Sequence, residues 1–137
     1  MLDAELLRAY RETHYCVYGP TPFVLRIDSA SPPLAALHQR MGVSCSAFIT
    51  ACNPYSQAIG AEENARRHAA LAADLARQGW VFFEGVGQHP DNGWPAEPSF
   101  LVLGLTREAA SAWGRALQQN AIVHCGVDAV PRLVVLR

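Results

Sequence analysis

The order of apolar runs and amphipathic segments from Ser46 onward predicts a mixed α/β fold whose core is a split βαβ, ferredoxin-like unit, with four antiparallel strands carrying two helices on one face. Three observations lead there. Residues 46–124 read in turn as strand, helix, strand, strand, helix, strand, and one further strand follows at 133–136. Residues 61–78 carry a long helical pattern with an alanine-rich stripe, which lets a helix lie close to a sheet. The runs at 47–52, 80–83 and 100–103 are apolar without alternation, as in strands covered on both faces. With 137 residues, half of them apolar, the chain fits one domain: a core at 45–137 and an N-terminal helix-strand-helix extension at 1–44 that covers the second face of the sheet.

In chain order, Asp3 caps a first helix running to about Thr13, with Leu2 and Leu7 spaced as a hydrophobic staple. Residues 15–18 and 23–27 read as two short strands or one interrupted strand. The segment 19–22 between them holds Pro20 and Pro22, which remove ladder donors and place the break at the sheet's periphery. Ser31 caps a second helix that begins with proline, shows Leu34, Leu37 and Met41 on one face and stops at Gly42. A strand at 46–52 leads through Asn53-Pro54 to the long helix, whose inner stripe reads Ala65, His68, Ala69, Ala72, Leu75 and Ala76, with Arg66 and Arg67 on the polar side. Gly79 ends it and a strand at 80–83 follows. A long loop at 85–98 precedes the strand at 99–103, Thr106 caps a helix to about Gln118, and strands at 121–124 and 133–136 complete the chain. A dimer that buries sheet against sheet is the rival cover for the second face.

Composition narrows the function classes. All eleven basic residues are arginines, scattered and nearly balanced by twelve acidic ones, so no electrostatic footprint for nucleic acid is present. No apolar run has the length of a membrane span or a signal-peptide core, and a cytoplasmic protein is expected. Four cysteines without paired spacing read as buried reduced thiols; a metal site drawn from His14, Cys16, His124 and Cys125 is the less favoured alternative.

In a split βαβ core, the ends of the first two strands and the starts of the last two meet at one edge. That edge gathers Asn53, Ser56, Gln57, Glu84, Glu97, Ser99 and Asn120, with Asn64 in the first turn of the long helix, where unpaired backbone donors favour an anion. Turn and cap chemistry alone accounts for many such asparagines. Gly85-Val86-Gly87 lacks the rest of a phosphate-binding pattern. The loop from Gly85 carries His89, Asp91, Trp94 and Glu97 among glycines and prolines and suits a lid.

The segment Phe48-Ile49-Thr50-Ala51-Cys52-Asn53-Pro54, with Asn64, Glu97-Pro98-Ser99 and Gln119-Asn120-Ala121-Ile122, resembles a bacterial family catalogued as a domain of unknown function, serial number 3293. The likeness runs over most of the chain, with Cys52 standing where an aromatic or apolar residue is expected. The resemblance implies no activity; it singles out Asn53, Asn64, Glu97, Ser99 and Asn120 as a set.

The resulting expectation is a binding site for a small polar or anionic molecule, with Asn53, Ser56, Gln57, Asn64, Glu84, Glu97 and Asn120 as its polar groups. No cofactor is implied. Glu97, Ser99 and His89 are the weak candidates for a hydrolytic set, and Asp91, Glu84 and Glu97 for a hard cation. The alternative is a protein–protein interaction module, a homodimer included, that uses an apolar patch around Tyr15, Tyr18, Phe23 and Trp94.

Overall fold

The computed structural model describes residues 2–137 as a mixed α/β fold of four helices and one curled, seven-stranded antiparallel sheet. The elements are α1 (Ala4–Glu12), β1 (His14–Val17), β2 (Phe23–Leu25), α2 (Pro32–Met41), β3 (Ser46–Ile49), α3 (Ala61–Arg77), β4 (Phe82–Gln88), β5 (Glu97–Leu103), α4 (Arg107–Ala116), β6 (Ala121–Cys125) and β7 (Pro131–Val135). The strands lie in the order β2-β1-β4-β5-β3-β6-β7, every neighbouring pair antiparallel. β1 and β2 therefore widen the sheet beyond β4. The proline-flanked β2 takes one edge, where missing ladder donors cost nothing.

Local chemistry sets the helix ends. Asp3 accepts from the Leu6 N–H at 2.8 Å, Ser31 from Leu34, and Thr106 from Ala109. Pro32 occupies the first turn of α2, and Gly42 ends that helix in the left-handed region at φ 67°.

Two apolar clusters sandwich the sheet. Ala47, Ile49, Phe100 and Val102 point toward Leu71 and Leu75 of α3 and Ala110 of α4. Their neighbours along the same strands, Phe48, Leu101 and Leu103, join Tyr15, Val17, Leu25 and the α2 leucines Leu34 and Leu37. Successive residues of β3 and β5 thus reach opposite cores, the physical source of their unbroken apolar runs. α2 covers the second face, whereas α1 buries no side chain.

Three element expectations need correction. The inward side of α3 is Asn64, Arg67, His68, Leu71 and Leu75, while Ala65, Ala69 and Ala76 are exposed. Alanine reads as apolar but has little surface to bury, so the leucines and the polar groups with partners set the rotation. The expected strand at 46–52 ends at Ile49, because Thr50 turns its hydroxyl to the Pro98 carbonyl (2.8 Å) and accepts from the Cys52 N–H. β4 continues through Gln88, so the connection to β5 is only 89–96 and Gly85 to Gln88 are strand, not lid.

Candidate functional site

The polypeptide leaves β3 through a strained corner. Asn53, Tyr55 and Ser56 all have positive φ (47°, 55° and 60°) around Pro54. Such conformations persist only where the surroundings hold them. Here the Tyr55 N–H donates to the Gln118 carbonyl at 2.7 Å, the Ser56 N–H to the Asn53 carbonyl at 2.8 Å, and the Gln119 side chain to the Cys52 carbonyl at 3.1 Å. Arg67 comes up from α3 to give Nε to the Ala51 carbonyl at 2.5 Å and Nη2 to the Leu117 carbonyl at 2.9 Å. Its planar fork ties the end of β3 to the end of α4.

Asn53 is the hub. Buried, it accepts from Asn64 Nδ2 (2.8 Å) and the Ile59 N–H (3.3 Å) at Oδ1, and its own N–H donates to Asn64 Oδ1 at 2.9 Å. Its Nδ2 donates to Glu97 Oε2 at 2.7 Å, a bond spanning 44 positions of sequence. The Trp94 indole donates to the same oxygen at 2.9 Å. Among the described residues, Glu97 Oε1 has no hydrogen-bond partner and Glu97 enters no ion pair. Burial raises the Glu97 carboxyl above its ordinary value, and the two hydrogen bonds only partly offset that rise.

Asn53, Glu97 and Ser56 line a cavity of about 190 Å3 between α1 and the sheet. Leu6, Ala9 and Tyr10 of α1 form its roof, and Tyr15, Phe48 and Trp94 contribute aromatic wall. The roof is pinned by the Tyr10 hydroxyl against Ser56 Oγ (2.5 Å), by the Tyr15 hydroxyl donating to the Tyr10 carbonyl (2.6 Å), and by His89 Nε2 against Glu12 (2.9 Å). Asn120 donates to Ser56 Oγ from behind at 3.0 Å, and Arg137 lies over the Tyr55 ring and reaches Asn120 Oδ1. Volume, partial enclosure and a few convergent polar groups are the attributes of a small-molecule pocket.

The expected residues divide sharply. Asn53, Ser56 and Glu97 line the cavity; Asn64 and Asn120 brace those liners; Gln57 is exposed and lies outside it. Glu84 does not belong to the group. Strand parity turns it to the α3 face, where it meets His68 Nε2 at 2.5 Å, and His68 stacks on Phe100 at 4.2 Å with its buried Nδ1 unpartnered. That placement also separates Glu84 from Glu97 as cation ligands.

Glu97, Ser99 and His89 all line the cavity, but among the described residues no hydrogen bond between their side chains links them as a hydrolytic set. Ser99 donates to the Glu97 carbonyl at 2.9 Å, while His89 Nδ1 accepts the N–H groups of Asp91 and Asn92, leaving its protonated Nε2 toward Glu12. His14 and Cys16 on β1 are separated by three intervening strands from His124 and Cys125 on β6. All four cysteines are free, and burial pushes the Cys125 thiol up to about 12, so it packs as a small apolar group.

Tyr10, Tyr15 and Arg67 were not legible as site residues. The i, i+4 spacing of Leu6 and Tyr10 marked a helix stripe without saying that the stripe covers a void. Arg67 shares a helix face with Asn64 three positions earlier, and that pairing is the one sequence cue to its role.

A family model described as "Protein of unknown function (DUF3293)" matches residues 49–122, more than half of the chain, from the end of β3 to the start of β6. No curated protein and no solved structure matches the chain.

Proposed function

We propose that this chain, which belongs to the family described as protein of unknown function DUF3293, is a small-molecule-binding protein whose ligand sits under α1 with its polar end at Asn53 and Glu97. The observation that carries the reading is the 2.7 Å contact between Asn53 and Glu97 in the wall of a roofed, largely apolar cavity. A partly buried carboxylate beside a strained asparagine costs stability, and such arrangements concentrate where a ligand is held. The polar half of the original expectation is retained and the anionic half is not, because no arginine lines the cavity and Glu97 does.

The segment order β4-β5-β3-β6, with α3 and α4 contributing to one of the two apolar clusters, supports reading the core as a ferredoxin-like split βαβ unit enlarged by β1, β2 and β7. Free cysteines and balanced charge support a reducing, cytoplasmic setting.

The test compares the native chain with Ala9→Phe, which puts a ring into the cavity from the roof without entering either apolar cluster. In a thermal-shift screen of small metabolites, hits that stabilise the native chain should lose their effect in the variant. Hits that survive it place binding elsewhere and defeat the proposal. A second reading, an interaction module or homodimer, draws on the exposed Tyr18 and Val24 beside and on the edge strand β2. Tyr15, expected in that patch, is buried. Native mass spectra separate the two readings: a retained small molecule favours the first, a stoichiometric protein the second.

A further inference from the structure

The geometry points to an organic ammonium ion, a primary amine on a compact apolar body, as the ligand class of the cavity under α1. This inference rests on the binding reading above and adds the sign of the ligand's charge. Glu97 supplies the only carboxylate among the lining residues, and neither lysine nor arginine is there to answer it. Its Oε2 is taken by Asn53 and Trp94, whereas Oε1 has no partner among the described residues. A partly buried carboxylate with one free oxygen and no counter-ion is an unfinished ion pair, and a cation entering the cavity completes it.

The rest of the wall agrees. Tyr10, Tyr15, Phe48 and Trp94 give the site ring surface on several sides, the surroundings that attract a cation and that accept an apolar body. His89 is the lining side chain that could carry a positive charge, and its Nε2 proton points to Glu12 outside the cavity, so it does not oppose a cation. The volume, about 190 Å3, is of the order of the roughly 150 Å3 apolar cavity that takes a benzene ring. One ring with a one-carbon ammonium arm is therefore a fitting probe.

Isothermal titration at pH 8 and low salt compares benzylammonium chloride with benzyl alcohol, which has the same shape and no charge. The native protein should bind the cation at least about tenfold more tightly than the alcohol, the scale of one charge-assisted hydrogen bond. Glu97→Gln keeps an oxygen to accept from Asn53 and Trp94, and with its cooperative melt verified it should erase the difference. Equal or tighter binding of the alcohol by the native chain overturns the ammonium assignment and leaves the pocket standing. Binding of neither probe, while other ligands remain sensitive to Ala9→Phe, does the same. If no ligand is sensitive to Ala9→Phe, the pocket and this inference fall together.

Discussion

Asn53 serves both the backbone and the site, and substitution separates the two roles. At φ 47° a Cβ is strained, yet asparagine tolerates the left-handed region better than alanine because its side chain bonds locally. Asn53→Ala and Asn53→Gly lose the same bonds to Glu97, Asn64 and Ile59. The alanine variant should nevertheless be less stable than the glycine variant by about 1 kcal/mol in urea denaturation, the cost of the backbone alone. Equal losses would show that the corner relaxes.

Glu97 gives the companion prediction. Its folded-state proton affinity is raised, chiefly by burial, so its stabilising contribution is complete below the ordinary value of 4.5 and is lost as pH rises through the raised folded value. Glu97→Gln does not titrate there. It should melt above the native protein at pH 7 and show that advantage shrinking toward zero below pH 4.5; a constant offset across the range would mean the carboxylate is not destabilised by its site. Asn53, Asn64 and Glu97 could be grouped from sequence because topology alone brings strand ends together. Tyr10 could not, since its partner Ser56 lies 46 positions away on a connection with no periodic signal.

At the scale of elements, the glycines of β4 show why the expected lid became strand. Gly85 pairs with Val17 on one side and Ser99 on the other, and a Cβ there would stand 2.5 Å from the Cys16 carbonyl and 3.0 Å from the Phe48 ring. The missing side chain lets β1 and the aromatic ring close on β4. Read alone, Gly85-Val86-Gly87 weakens a strand, and pairing with β1 on one side and β5 on the other makes it one. Gly85→Ala should cost about 2–3 kcal/mol, the range of an overpacked core, because a backbone carbonyl cannot swing aside. Loss of amide protection in His14–Val17 during hydrogen exchange would locate the damage; an unchanged melt would mean that the ladder has slack the distances do not show. α3 teaches the same lesson in reverse. Its helical period was plain, but choosing its inward side required knowing that Arg67 finds the carbonyls of Ala51 and Leu117.

For the molecule as a whole, the apolar runs announced a sheet covered on both faces but not its curl, which arises from twist summed over seven strands and leaves no mark in any one of them. That curl leaves the space under α1. The stability of the fold resides in the two clusters on either side of the sheet, which take their helical leucines from α2 and α3. α1 contributes no buried side chain and holds on through four polar contacts, to Ser56, Tyr15, His89 and Asp28. Folding and binding are therefore separable at residue 13. A chain beginning at His14 should unfold cooperatively with a loss of no more than about 3 kcal/mol, since Leu6, Leu7 and Tyr10 are only half-buried and would each have contributed a fraction of a full burial. The same chain should bind benzylammonium at least tenfold more weakly, because Leu6, Ala9 and Tyr10 close the space over the ring and shield Glu97 from water. Circular dichroism and titration calorimetry on the shortened chain decide it. Failure to fold would make α1 part of the core, and undiminished binding would mean that the roof takes no share in holding the ligand.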